Sequence, residues 1–155
     1  GAAYLYCRKH SLPFLRWVDC FIPCAALAQG FGRIGCFLAG CCFGKPTESF
    51  LGVTFPAGSM APAGIPLWPV QLFSAAGDFL LAGALLLLEK KRRGDGLLAG
   101  AYLLLYSIGR FLIEFLRADP RGAVGTLSTS QFIALFTAAA GAAILILRKR
   151  GTPHG

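Results

Sequence analysis

The stretch GLLAGAYLLLYSIGRFLIEF, residues 96–115, is apolar enough to cross a membrane as a helix, yet it carries Arg110 and Glu114. A helix of about 20 mostly apolar residues spans a hydrocarbon core. Ionisable side chains at that depth are costly, so they normally face a bundle interior or an aqueous cavity and mark a site. The stretch therefore predicts a membrane helix with an anionic ligand held beside it.

The composition of the whole chain agrees with a membrane protein. The 155 residues are 55% hydrophobic and 14% charged, with a mean hydropathy of +0.63. Soluble domains carry about 25% charged residues, so this chain could not cover its surface with polar groups and needs a bilayer around it. Its net charge of +8 does not indicate a nucleic-acid partner, because the positive residues lie at segment ends, as the positive-inside rule requires.

Four apolar segments can be drawn, and basic clusters alternate between them. The segments are residues 17–39, 71–88, 96–115 and 131–147. The clusters are Arg8, Lys9 and Arg16, then Lys90, Lys91, Arg92 and Arg93, and finally Arg148, Lys149 and Arg150. Placing all three clusters in the cytoplasm gives a consistent path with the C-terminus inside. We predict an all-α, polytopic helix bundle forming a single transmembrane domain over residues 1–155.

The connections and the N-terminus complete this expected architecture. Residues 40–70 are rich in proline and glycine, which predicts a long irregular external loop, with a possible short strand at residues 52–55. Hydroxyls at residues 128–130 are suited to cap the fourth helix. Residues 1–6 resemble the end of a fifth helix, so the chain is expected to be the C-terminal part of a longer protein.

Polar residues on the third segment recur at helical spacing. Tyr102, Tyr106, Arg110, Glu114 and Arg117 are four, four, four and three residues apart, which places them on one face. Glu114 can pair with either arginine and lower the cost of burying both. The plainer interpretation is a salt-bridged helix end whose side chains reach toward the interface.

A second charged residue, Arg33, stands among glycines in GFGRIG, residues 30–35. Glycine permits close approach by a ligand or by another helix. Guanidinium groups form bidentate hydrogen bonds to phosphate, so Arg33 and Arg110 together suit a phospholipid head group. The alternative is tight helix packing with Arg33 bonded to backbone carbonyls.

The second segment contributes Gln71, Ser74 and Asp78 on one face. We interpret Asp78 as a counter-ion for an arginine rather than a proton acceptor, because the sequence pairs no second titratable group with it. Asp19, near the start of the first segment, is interpreted as an interfacial residue.

Six cysteines occupy positions 7, 20, 24, 36, 41 and 42. They form no CxxC pair, and no histidine is expected near them because His10 is placed in the cytoplasm and His154 in the C-terminal tail, so a structural zinc site is not expected. A disulfide joining Cys41 or Cys42 to Cys36 is conceivable on an oxidising outer side. Small buried hydrophobic side chains are the favoured interpretation.

Two runs of sequence resemble a known family. The run GRIGCFLAGCCFGKPT, residues 32–47, followed by GVTFP, residues 52–56, resembles the signature region of bacterial prolipoprotein diacylglyceryl transferases. The run YSIGRFLIEFLRADPRG, residues 106–122, is similar to that family's later Arg-Phe-x-x-Glu-Phe-x-Arg motif, and LSTSQ, residues 127–131, also resembles family sequence. Together they cover most of the chain from about Leu27 onward.

The resemblance implies an enzyme of the bacterial inner membrane whose site faces the outer side. Such enzymes move the diacylglyceryl group of phosphatidylglycerol onto the lipobox cysteine thiol of a prolipoprotein signal peptide, which forms a thioether in lipoprotein maturation. No cofactor, metal or nucleic acid is implied. Arg33 and Arg110 correspond to the catalytic arginines. The expected substrate-binding set is Gly32, Arg33, Gly35, Gly44, Gln71, Tyr106, Arg110, Glu114 and Arg117.

The chain departs from the family pattern in several places. Cysteine stands at 36 and 41, where the family commonly has asparagine and an acidic residue. Residues 68–74, WPVQLFS, replace a His-Pro-x-Gln-Leu-Tyr-Glu segment, which bears on substrate preference and activity. The family's polar glycine motif for the thiol is expected upstream of Gly1, so the fragment alone is expected to be inactive.

Two further functions fit the same residues. One is a noncatalytic membrane protein of the same fold that binds anionic phospholipid. The other is a small transporter subunit with Arg110 in an anion path, which has only the charged stripe to support it.

Overall fold

Five helices make up most of the chain, and the computed structural model describes residues 1–90, 95–117, 123–124 and 127–150. The elements in chain order are α1 (Ala2–Lys9), α2 (Phe14–Leu38), β1 (Val53–Thr54), β2 (Pro66–Leu67), α3 (Val70–Lys90), α4 (Leu97–Glu114), β3 (Ala123–Val124), β4 (Leu127–Ser128) and α5 (Thr129–Arg150). The prediction of an all-α bundle is confirmed.

Four of these helices, α2 to α5, are long and apolar enough to cross a membrane. Both ends of each helix lie within three residues of the corresponding ends of the predicted segment. The agreement arises because apolar composition and turn residues mark the same limits. Large apolar side chains remain exposed on their outer faces: Leu80 is 76% exposed, and Leu87 and Phe136 are each 64% exposed. The protein is therefore a multi-pass membrane protein.

The helices pack as two pairs, α2 with α3 and α4 with α5, joined through contact between α3 and α4. Small residues bring α4 and α5 close together. A Cβ built on Gly141 would lie 2.8 Å from the Leu104 nitrogen and 2.9 Å from the Gly100 carbonyl oxygen. Only glycine fits that backbone contact, which is the usual means of helix association in lipid.

The connection between α2 and α3 is irregular, as expected, and has a small core of its own. Phe55, Ala61 and Leu67 are buried there, and β1 pairs with β2 as a two-stranded antiparallel sheet. The possible strand at residues 52–55 is present as Val53–Thr54. An antiparallel bridge between Gly44 and Arg117 joins this loop to the end of α4. We call this end of the bundle the loop end.

The start of α5 carries the predicted cap. The Gln131 backbone N–H donates to Ser128 Oγ at 3.2 Å, and the Ser128 N–H donates to Gln131 Oε1 at 3.1 Å. This reciprocal pair is a capping box, which satisfies two donors that a helix N-terminus leaves open. The basic residues 91–93 and the motif residues 118–122 lie outside the described residues, as do the side chains of residues 148–150.

The opposite end of the bundle is held together by Asp19, for which the sequence analysis predicted an interfacial position but no structural role. Asp19 is completely buried within the protein. Its two carboxylate oxygens accept hydrogen bonds from the backbone N–H groups of Gly96 and Ala99, each at 2.8 Å. An anion there satisfies orphan donors and complements the positive end of the α4 dipole. Asp19 therefore joins α2 to the first turn of α4.

Candidate functional site

A cavity of about 390 Å³ lies between α2, α3 and α4. Its polar lining comes from all three helices and consists of Arg33, Ser74, Asp78, Tyr106 and Arg110. The rest of the wall is largely apolar. Two of the arginines that the sequence marked, 77 positions apart, thus line the same space.

Arg33 reaches the cavity from the last turns of α2, and Asp78 faces it from α3. The two side chains are close enough for their charges to interact. Asp78 is only 6% exposed, and a buried carboxylate needs a nearby positive charge. This arrangement agrees with the interpretation of Asp78 as a counter-ion.

Arg110 is held by residues of two helices. Its Nη1 lies 2.9 Å from Glu114 Oε2, one turn further along α4. Its Nη2 donates to Ser130 Oγ of α5 at 3.0 Å. The side chains of Arg110 and Glu114 are 14% and 8% exposed, so the pair is largely shielded from solvent. The guanidinium orientation is therefore fixed from both sides.

The ion pair with Glu114 does not use all the hydrogen-bond donors of the Arg110 guanidinium. Neither Arg110 Nη1 nor Glu114 Oε2 has a hydrogen-bond partner with good alignment among the described residues. Arg110 also experiences the positive charges of Arg33 and Arg117. An anion entering this region would meet two guanidinium groups, those of Arg33 and Arg110, and a donor on Arg110 with which no described residue is aligned.

Two tyrosines of α4 stack on each other beside the cavity. The rings of Tyr102 and Tyr106 stack with centroids 5.5 Å apart, and Tyr106 lines the cavity. The Tyr102 hydroxyl donates to Gln29 Oε1 of α2 at 2.6 Å. Gln29 was not among the predicted site residues. Its position one helical turn before Arg33, as a polar residue in an apolar segment, was the available signal.

Of the five polar residues predicted to share one face of α4, the first four lie on the helix and the fifth does not. Tyr102, Tyr106, Arg110 and Glu114 follow the helix, but α4 ends at Glu114. Arg117 lies beyond it, buried, in the bridge to Gly44. Arg117 is therefore not on the same helical face, although its charge acts on Arg110.

Other predicted site residues lie away from the cavity lining. A Cβ on Gly32 or Gly35 would meet no protein atom within 4 Å, so no described helix packs closely there. Gly44 packs beneath Trp68, where a Cβ would lie 2.6 Å from the Trp68 carbonyl oxygen. Gln71 is buried and donates from Nε2 to the Cys41 carbonyl oxygen at 2.8 Å. None of these four residues lines the cavity.

None of the six cysteines forms a disulfide in this structure. Those at 36, 41 and 42 cluster at the loop end, with sulfur atoms all within 4.8 Å of one another. Burial, the hydrogen bond between the Cys41 and Cys36 thiols and the charge of the neighbouring thiols raise the pKa of the Cys41 thiol to about 11. In the absence of a cation, Cys41 is therefore a neutral thiol at physiological pH.

Comparisons with known proteins give a consistent family. The family model for prolipoprotein diacylglyceryl transferase matches residues 1–147. A phosphatidylglycerol–prolipoprotein diacylglyceryl transferase of Clostridium tetani is 51% identical over 136 residues, covering 88% of this chain and 55% of its own length. A second such enzyme, from Clostridium perfringens, is 53% identical over 128 residues, covering 83% and 50%. The chain spans about half the length of these curated relatives.

Proposed function

Because the chain belongs to the prolipoprotein diacylglyceryl transferase family, we propose that it forms part of an enzyme that transfers diacylglyceryl from phosphatidylglycerol to a prolipoprotein. The acceptor is the thiol of the lipobox cysteine in the signal peptide. The names of the relatives support the donor lipid and the prolipoprotein acceptor.

The proposed reaction is a displacement at carbon. The cysteine sulfur forms a bond to the terminal glycerol carbon of the diacylglyceryl group, and the bond from that carbon to the phosphate oxygen breaks. The bonding electron pair leaves with glycerol phosphate, which gains a second negative charge. The thiol proton is lost to a base, since the thiolate is the nucleophile. The main electrostatic demand therefore falls on the leaving phosphate.

The observation that supports this function best is that Arg33 and Arg110 line one cavity. Guanidinium groups stay charged and match the oxygens of a phosphate. Held in place before the reaction, they stabilise charge as it develops on the leaving group, at no reorganisation cost. Asp78 and Glu114 offset their charge while the site is empty.

The cavity wall also suits a lipid. Phe73, Leu80, Leu81, Leu105 and Ile113 provide apolar contact beside the arginines. Leu80, which is 76% exposed, lies both on the cavity and on the face turned to lipid. A phospholipid can place its head group at the arginines and leave its acyl chains on this apolar side.

We place the protein in the bacterial cytoplasmic membrane with the loop end and the site on the outer side. The basic clusters of the sequence support this orientation, with the C-terminus in the cytoplasm. The outer side is also where a signal-peptide cysteine emerges for modification.

Complementation tests the proposal. The full-length gene is expressed in cells depleted of their own transferase, with Arg33→Ala, Arg110→Ala and, as a matched control, Arg16→Ala. Arg16 lies at the opposite end of the bundle, is 65% exposed and pairs with Asp95 at 3.1 Å. We expect wild type and Arg16→Ala to rescue growth. Rescue by Arg33→Ala equal to that by wild type would overturn the role of Arg33.

A rate measurement separates chemistry from folding. Purified full-length protein is mixed with phosphatidylglycerol and a lipobox peptide, and thioether formation is followed by mass spectrometry. Loss of one electrostatic contact in the transition state lowers kcat by about 10²–10³. Arg110→Lys keeps the charge but loses the bidentate geometry, so we expect a smaller decrease. Lipid binding without transfer by the wild type would favour the noncatalytic alternative.

A further inference from the structure

The end of α2 folds back in a way that brings two cysteines together. The Gly40 N–H donates to the Phe37 carbonyl and the Cys41 N–H to the Cys36 carbonyl, each at 3.0 Å. Gly40 has φ +64°, the left-handed conformation that glycine adopts without strain. This pair of bonds is a Schellman motif, which characteristically places the residue after the glycine against the last turn of the helix. Cys41 therefore contacts Cys36.

A third thiol joins them through an unusual backbone conformation. Cys42 has φ +59°, and within the described residues only Ser11 shares a positive φ without being glycine. Residues with a Cβ are disfavoured there, and such outliers often accompany functional sites. The Schellman motif accounts for the pair Cys36 and Cys41, but it does not require a third cysteine in the left-handed region.

The three sulfur atoms are spaced as metal ligands are. All lie within 4.8 Å of one another. With a bond of about 2.3 Å from zinc to sulfur, ligands at the corners of a tetrahedron are about 3.8 Å apart. A shift of about 1 Å or less in the sulfur positions closes the site. The three side chains are only partly buried, which leaves a route from the loop side for an ion and for a water molecule as a further ligand.

The turn is also anchored from the neighbouring helix. Gln71 of α3, which is 1% exposed, donates from Nε2 to the Cys41 carbonyl oxygen at 2.8 Å. This bond fixes the backbone that carries the thiols before any ion arrives. Cys36 lies three residues after Arg33, so the cluster sits next to the cavity but shares no lining residue with it.

We propose that Cys36, Cys41 and Cys42 bind one thiophilic d¹⁰ cation, Zn²⁺ or Cu⁺, through three thiolates. Soft sulfur ligands select these ions, and no histidine or carboxylate belongs to the group in the described part of the chain. Each thiol releases a proton to solvent as its sulfur binds the ion, so the step involves no oxidation. The bound cation would hold the final turn of α2 and thereby the helix end that carries Arg33.

This inference differs from what the spacing of the cysteines suggests. A Cys-x4-Cys-Cys pattern matches no common zinc motif, and the sequence therefore predicted no metal. The backbone turn, rather than the spacing, assembles the group. A disulfide is the competing outcome, and it would join two of the sulfurs and leave the third without a role.

Metal loading of the purified full-length protein tests the site. Cys7, Cys20 and Cys24, together with any cysteine outside residues 1–155, are first replaced by serine, so that only the cluster remains. The protein is incubated with Zn²⁺, with Cd²⁺ as a spectroscopic substitute, or with Cu⁺ under anaerobic conditions, and is then desalted. We expect one ion per chain by elemental analysis and, for Cd²⁺, an ultraviolet charge-transfer band from bound thiolate. Competition between the ions identifies the preferred one.

Cys42→Gly is the decisive variant, because glycine accepts φ +59° and keeps the turn while removing the thiol. We expect its metal affinity to fall by at least tenfold, with the helical circular dichroism spectrum unchanged. Cys36→Ser should lose affinity to a similar extent. In the otherwise unmodified chain, Cys20→Ser and Cys24→Ser serve as controls, since both cysteines lie exposed on α2, and their binding should match wild type.

Three results would overturn the proposal. The first is that none of the three ions is retained after desalting. The second is equal retention by Cys42→Gly and by the protein with the intact cluster. The third is a disulfide within the cluster in protein extracted under thiol-blocking conditions, detected by mass spectrometry as two thiols that resist alkylation. None of these results depends on transferase activity, so the test stands apart from the proposed function.

Discussion

Asp19 illustrates how a single residue fixes the relation between two helices. Its carboxylate accepts backbone hydrogen bonds from Gly96 and Ala99 at full burial. Removing it leaves two buried N–H groups without their acceptor, and hydrogen bonds to charged groups contribute about 1.5–3 kcal/mol each.

We expect Asp19→Ala to destabilise the protein by about 2 kcal/mol or more, measured as a lower Tm in detergent. Arg16→Ala is the control one turn earlier on the same helix. Its exposed ion pair with Asp95 should contribute at most about 1 kcal/mol. Equal Tm values for the two variants would contradict the role assigned to Asp19.

The pair of Arg110 with Glu114 is the second feature at this scale. Glu114→Gln keeps the size of the side chain but leaves a largely buried guanidinium without its ion pair. Breaking such a pair costs about 3 kcal/mol of stability. Transfer should also slow by about tenfold or more. Without Glu114, the hydrogen bond to Ser130 is the only contact left to orient Arg110 among the described residues, and one contact does not fix the guanidinium.

Thermal unfolding and the peptide transfer assay measure these two effects of Glu114→Gln. Glu48→Gln, at an exposed position of the loop, is the matched control and should change neither. Full activity of Glu114→Gln would show that Arg110 is positioned without the carboxylate.

At the scale of elements, the helices follow directly from apolar composition, and their limits agree with turn residues and with the Ser128–Gln131 capping box. The sequence also identified Arg33, Asp78, Tyr106 and Arg110 before their common cavity was known. The hydrogen-bonding roles of Asp19 and Gln29 were not predicted, because their partners lie more than 70 residues away in sequence. The local sequence pattern does not show which residues of two helices lie opposite each other when the helices pack.

The contact between α4 and α5 provides a test at the same scale. A Cβ on Gly141 would collide with backbone atoms of α4, which cannot move aside as a flexible side chain can. Gly141→Ala should therefore cost about 1–3 kcal/mol in stability.

Gly83→Ala on α3 is the matched control, since a Cβ there would meet nothing within 4 Å. An alanine at an open helix position should be neutral or stabilising by up to about 1 kcal/mol. Thermal unfolding of both variants in one detergent makes the comparison, and a stable Gly141→Ala variant would contradict the close contact.

For the whole molecule, the main expectation concerns orientation. The loop end should face outward, and the turn after α3 should face the cytoplasm. In a cysteine-free background, Met60→Cys, which is 76% exposed in the loop, should react with a membrane-impermeant maleimide in intact cells. Lys90→Cys, exposed at the end of α3, should react only after the cells are permeabilised.

Labelling of Lys90→Cys in intact cells, with protection of Met60→Cys, would reverse this orientation and move the site to the inner side. Gel-shift detection of the labelled chain is sufficient to distinguish the two results. That residues 1–155 form a single transmembrane domain stays a prediction.

The position of Leu80, which lines the cavity and is also exposed on the outer surface that we propose to meet lipid, has a kinetic consequence. Molecules reaching the arginines from this side arrive by lateral diffusion within one leaflet, so occupancy follows the mole fraction of the lipid in the membrane rather than its concentration in water. Diluting the donor lipid with neutral lipid at constant bulk concentration would then slow turnover. Saturation curves are thus meaningful only when plotted against surface composition.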